Sequence, residues 1–119
     1  MSYNAGVHSQ NGNEVVIAIY DIYADHGLTK NGKGRNVAFL QTNLRGVTIQ
    51  LNADRPFSDM SHIPNSGYNA DWILQGNVLY ITVHDLSFTK GKSSTGKTWL
   101  VAYRQMVVED VHIKLNAYK

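Results

Sequence analysis

The segments 47-VTIQLNA-53 and 111-VHIKLNA-117 decide the reading of this chain, because they are one strand written twice. Val47, Ile49, Leu51 and Ala53 point to one side and Thr48, Gln50 and Asn52 to the other. Val111, Ile113, Leu115 and Ala117 do the same against His112, Lys114 and Asn116. Such alternation is the period-two mark of a half-buried strand. Carried backwards, the same shift of 64 residues lays residues 14–55 on residues 78–119 without a gap, with agreement at 13 of 42 positions. Ile17/Ile81, Asp21/Asp85, Gly27/Gly91, Gly32/Gly96, Lys33/Lys97 and Val37/Val101 are among them. With a one-residue slip, Tyr3-Asn4-Ala5 answers Tyr68-Asn69-Ala70, and Gly12-Asn13 answers Gly76-Asn77. The chain therefore reads as two repeats, residues 2–53 and 66–117, with 54–65 as the joint. A repeat of this size signals a unit that cannot bury its apolar face alone.

The rest of each repeat is also β. Val15, Ile17 and Ile19 alternate with Val16, Ala18 and Tyr20, and Leu79, Ile81 and Val83 alternate with Tyr80, Thr82 and His84. Residues 34–41 and 98–105 are rich in β-branched and aromatic residues, and Gly- and Lys-containing segments before them read as hairpin loops from the preceding strand. With a short leading strand at Tyr3–Val7 or Tyr68–Ile73, six to eight strands are expected. The expected fold is all-β: two tandem copies of a three- to four-stranded antiparallel unit, packed with pseudo-twofold symmetry as a small sandwich or barrel. The core should hold Ile17, Ile19, Val37, Ile49 and Leu51 with Ile81, Val83, Val101, Ile113 and Leu115.

At 119 residues and 43% apolar content the chain suffices for one domain. It has no cysteine, which excludes disulfides and thiolate metal sites. The start MSYNAGVHSQNGNE has no basic region followed by an apolar run, and no stretch approaches the roughly 20 apolar residues of a membrane helix, so a soluble, cytoplasmic protein with no membrane contact is expected.

The elements YNA, GN, an alternating Ile/Val strand ending in Asp, SSTGKTWLVA and IKLNAYK resemble a group of very short bacterial proteins built from one such unit. The resemblance covers nearly the whole chain, twice. It implies the β fold and, since that group has no assigned activity, carries no site residues across. The first repeat departs from the pattern where SSTGKTWLVA becomes TKNGKGRNVA.

One motif misleads. Gly91-Lys92-Ser93-Ser94-Thr95-Gly96-Lys97-Thr98 satisfies G-x-x-x-x-G-K-[ST], the loop that cradles phosphates between a buried strand and a helix. Here Trp99-Leu100-Val101-Ala102-Tyr103 follows, which is strand sequence, and the first repeat keeps both glycines and the lysine but has Gly34 in place of the hydroxyl. A glycine-dependent turn is the shared need. The five histidines show no metal-ligand spacing, and His26, His84 and His112 align with Lys90, Tyr20 and Thr48. Asp21 and Asp85 read as caps of the backbone turn in preference to catalytic acids. Neither a nucleophile elbow nor a cofactor motif is present, and no enzyme activity is expected.

Charge placement carries the functional expectation. Residues 24–35 and 88–99 hold Lys30, Lys33, Arg35, Lys90, Lys92 and Lys97 against the single acid Asp25, a net +5, while five bases and eight acids leave the remainder at −3. Joined in a twofold assembly and flanked by Tyr23, Phe88, Trp99 and Tyr103, the two hairpins would form one basic, aromatic surface suited to single-stranded or irregular DNA or RNA. The expected nucleic-acid site is Lys30, Lys33, Arg35, Lys90, Lys92, Lys97, Trp99 and Tyr103. The other reading is a structural, interaction or carbohydrate-binding module, in which lysines at polar tips guard sheet edges. A homo-oligomer through sheet edges or faces is the remaining partner open to the chain.

Overall fold

Eleven strands and no helix form within residues 2–119, the residues that the computed structural model of the protein describes. They are β1 (Ser2–Tyr3), β2 (Ala5–Asn11), β3 (Glu14–Ile19), β4 (Gly34–Leu44), β5 (Val47–Pro56), β6 (Ser66–Tyr68), β7 (Ala70–Gln75), β8 (Val78–Val83), β9 (Gly91–Lys92), β10 (Trp99–Val108) and β11 (Val111–Tyr118). One antiparallel sheet has the order β1-β4-β5-β11-β10-β6, with β9 paired to the start of β10. The second has the order β2-β3-β8-β7. Among the described residues no helix is long and apolar enough to cross a membrane.

The strand count exceeds the expected six to eight because each leading strand is broken in two and the short β9 forms beside β10. Asn4 and Asn69 take φ of 54° and 56°, the left-handed region that short polar side chains tolerate best after glycine. That kink leaves β1 and β6 in the seven-stranded sheet and sends β2 and β7 into the four-stranded one. Both asparagines donate through Nδ2 to two carbonyls, Asn4 to Asp21 (2.7 Å) and Val37 (3.1 Å), Asn69 to Asp85 (2.8 Å) and Val101 (3.0 Å). Val37 and Val101 lie in the large sheet, and Asp21 and Asp85 just beyond strands of the small one, so one side chain ties the sheets together in each half.

Alternation then fills the interior. The ten expected core residues are all completely buried, and a single cluster joins Val15, Ile17, Ile19, Leu79, Ile81 and Val83 of the small sheet to Val37, Ile49, Leu51, Val101, Met106, Ile113 and Leu115 of the large one. Each such side chain contributes about 1.5–3 kcal/mol by leaving water. Two strand pairs connect the halves. In β3·β8 Ile17 faces Ile81, and in β5·β11 Leu51 faces Leu115, so residues 64 apart in sequence stand opposite each other at both seams.

The basic segments are hairpins only at their tips. They do not fold β4 or β10 back onto the strand before it, because β3 and β8 pair with each other in the small sheet. Residues 20–33 and 84–98 instead cross between sheets and close a short turn against the next strand, through the Leu28–Arg35 bridge and the β9·β10 pair. The last strand of the first repeat also runs three residues into the expected joint, since Asp54 pairs with both Asn36 and His112, and Pro56 with Gly34.

Leu115→Ala should lower stability by about 2–5 kcal/mol; an unchanged denaturant midpoint would place its side chain outside the core. Asn69→Ala should cost about 2–4 kcal/mol, combining left-handed strain in a Cβ residue with the removal of two hydrogen bonds. Wild-type stability in that variant would show that the crossing from β6 to β7 is held by other contacts.

Candidate nucleic-acid interface

The tips form identically in both halves. Thr29 N–H donates to the Gly34 carbonyl (2.9 Å) and Gly32 N–H to the Thr29 carbonyl (2.9 Å), while Ser93 N–H donates to Thr98 (2.8 Å) and Gly96 N–H to Ser93 (2.8 Å). Gly32 and Gly96 sit at φ 69° and 73°, which explains why both repeats keep a glycine before the lysine. The amides of Ser93, Gly96 and Thr98 are thus spent within the turn, and strand β10 follows. The phosphate-loop pattern is a hairpin turn.

Strand direction separates the tips. Gly34 pairs with Pro56 at one end of the large sheet, whereas Leu100 pairs with Tyr118, and Tyr118 with Thr48, at the other. From Thr48 to Asp54 a strand spans about 20 Å at about 3.3 Å per residue. Lys30, Lys33 and Arg35 therefore lie at one corner of the seven-stranded sheet, and Lys90, Lys92, Lys97 and Trp99 at the opposite corner, with Tyr103 inside it. The expected single basic surface made by adjoining tips does not form, because the antiparallel seam β5·β11 points the two halves in opposite directions.

Between the corners runs the outer face of the large sheet. Pairing sets Tyr3, Phe39, Asn52, Lys114 and Gln105 in one row, and Gln41, Gln50, Asn116, Tyr103 and Tyr68 in the next. A hollow of about 390 Å³ opens at the first corner, lined by Tyr3, Lys30, Asn36, Phe39, Asn52 and Asp54 among others. Another of about 350 Å³ opens at the second, lined by Tyr68, Thr98, Leu100, Asn116 and Tyr118 among others. Counterparts 64 or 65 residues apart line both: Tyr3 and Tyr68, Asn36 and Leu100, Asn52 and Asn116, Asp54 and Tyr118.

The cations differ in how free they are. Asp25 holds Arg35 through contacts of 2.7 and 3.0 Å, and this contact, with the Gly27 amide, keeps the Asp25 carboxyl below its usual range. Lys90 Nζ lies 4.2 Å from the Tyr68 ring centroid and Lys92 Nζ 4.4 Å from that of Trp99. These lysines sit on the rings that would stack, which places charge and aromatic face together at a value of about 0.5–1 kcal/mol when exposed. Trp99 is 43% exposed, as a surface ring and not a core residue. Tyr68 and Tyr103 lie 6.2 Å apart, with Lys114 at 6.0 Å from Tyr103.

Other candidates settle locally. Asp21 and Asp85 accept from the amides two residues on, Tyr23 and Ser87, both at 2.9 Å, as capping residues. His84 meets Asp71 at 2.6 Å on the small sheet, and His112 meets Gln105 at 3.1 Å on the large one. Sequence reading did not single out Tyr3, Phe39, Asn52, Asp54, Tyr68 and Lys114, which the fold sets on the outer face of the large sheet and along its hollows. The outward alternation of 48–52 and 112–116 was the available signal for Asn52 and Lys114; Asp54 was hidden by its assignment to the joint. No protein-family model, curated protein or solved structure matches the chain.

Burial and the nearby Lys114 push the His112 imidazole below its ordinary 6.5, with Asp54 opposing. The folded chain then binds this proton less readily than the unfolded chain, so the stability is present above pH 6.5 and is lost as pH falls below it. His112→Thr, which installs the residue found at position 48, should reduce the fall in melting temperature between pH 7 and pH 5. An equal fall in both proteins would show that His112 titrates alike folded and unfolded.

Proposed function

We propose that the chain is a non-enzymatic module that binds a single nucleic-acid strand across the outer face of its seven-stranded sheet. One observation carries this: all eleven lysines and arginines lie off the four-stranded sheet, whose strands hold only Glu14 and Asp71 as charged side chains. The large sheet and the loops entering it thus collect every cation of the protein. Its outer rows interleave Phe39, Tyr3, Tyr68 and Tyr103 with amides and Lys114, and the tip lysines stand at either end. Backbone charge would hold the strand at the two corners while rings between them stack on bases.

The same proposal takes the molecule as a duplicated unit folded as a sandwich about a pseudo-twofold axis. What supports this is the register of the two seams, where Ile17 stands opposite Ile81 and Leu51 opposite Leu115, as a twofold relation between the halves requires. A single-unit relative of the short bacterial kind would have to make the same seams with a second copy. A carbohydrate or protein ligand is the other reading, and it is favoured by the amides Gln41, Gln50, Asn52 and Asn116 set beside those rings.

Labelled single-stranded and duplex oligonucleotides at two salt concentrations test the choice. The unmodified protein should bind the single strand and weaken steeply with salt. Lys33→Gln with Lys97→Gln should flatten that dependence by roughly 0.7 for each phosphate no longer neutralised, with no change in melting temperature. Absence of binding at low salt, or binding indifferent to salt, would hand first place to the carbohydrate or protein reading.

A further inference from the structure

We infer that the hollow walled by Tyr3, Phe39, Asn36 and Asp54, with Lys30 beside them, selects a guanine nucleotide; this rests on the nucleic-acid reading of the same face. Among the described residues Asp54 is the only acid in the strands of the seven-stranded sheet. A carboxylate there repels phosphate, so its place on a cation-collecting face calls for a ligand that donates to it. No donor among the described residues reaches it. Burial pushes its carboxyl above the ordinary value, with only His112 opposing, and no hydrogen bond contributes.

A carboxylate is an acceptor at both oxygens. Of the four bases, only guanine offers two adjacent donors, N1–H and the N2 amino group, on its pairing edge. The aromatic rings supply the second requirement: Tyr3 and Phe39 lie 6.0 Å apart at 30° on the same row as Asn52, a platform for a splayed base. Lys30 lines the same hollow and supplies a cation for the phosphate of that nucleotide. The opposite hollow retains a tyrosine but has Tyr118 and Leu100 where Asp54 and Asn36 stand, so it stacks without choosing.

The test uses thymidine decamers carrying one central dG, one central dA or neither, against the intact protein and Asp54→Asn, with 5′-GMP and 5′-AMP as competitors. The dG strand should bind about tenfold more tightly than the dA strand, as one good bidentate contact allows. Asp54→Asn should abolish that preference, bind the all-thymidine strand at least as well, and melt like the wild type. Competition by 5′-GMP alone supports recognition of the mononucleotide itself; a dG preference without it supports recognition within a strand. Strands that bind with no dG preference, or a preference that survives in Asp54→Asn, overturn the inference and leave the nucleic-acid reading intact. Failure of every strand to bind overturns both.

Discussion

Two asparagine side chains decide how this chain divides itself between sheets. A strand that left the large sheet for the small one would strand carbonyls at the parting point, and each buried unpaired carbonyl costs about 1–3 kcal/mol. Asn4 and Asn69 meet this need with one amide nitrogen each, bonded to a carbonyl on either side of the gap. Their own carbonyls accept from Tyr20 and His84, the residues that leave β3 and β8. Asparagine suits the position twice over, since it tolerates positive φ and carries a forked donor; glycine has the first property only. With that tie made, the following loops have no course except across to the large sheet.

The seams then free the surface from the fold. Stability resides in inward positions that both halves share, Ile17 with Ile81 and Leu51 with Leu115, while the outward positions of β5 and β11 are half-buried or exposed. Outward residues differ accordingly: Thr48 against His112, Gln50 against Lys114, Asp54 against Tyr118. The partition of charge follows from this freedom. Interactions such as Arg35 with Asp25 are solvent-facing and screened by water, so they shape the potential of the face more than the stability of the domain.

Much of this was written in the sequence, and what was not has a physical reason. Alternation in 47–53 and 111–117 assigned strand faces correctly, and the shared glycines Gly32 and Gly96 marked turns that do close. The break at Asn4 left no periodic trace, because a change of sheet preserves the extended backbone on either side of one residue. Asp54 escaped because the match between repeats ends at Ala53, although its strand continues for as long as a neighbour is present to pair with it. The placing of the tips was a question of direction. Composition can count cations, but only the register of β5 on β11 shows that they lie at opposite corners.

That separation gives the proposed face a property that two identical chains would lack. A symmetric dimer presents the same group at both ends of its face, whereas a nucleic-acid strand has unlike ends. Within one chain the two ends can differ without disturbing the core, because the corner residues Asn36 and Asp54 on one side, Leu100 and Tyr118 on the other, lie at the ends of the large sheet and outside the core cluster. Both hollows are lined by aromatic rings and amides, but only the first by a carboxylate and a lysine, and the second has Tyr118 and Leu100 in the places of Asp54 and Asn36. A ligand laid from corner to corner meets different chemistry at each, so the two orientations of a strand differ in energy by whatever the Asp54 hollow gains over its counterpart. On this view the inward residues keep one core while the unlike outward residues of the two corners give the proposed face a direction.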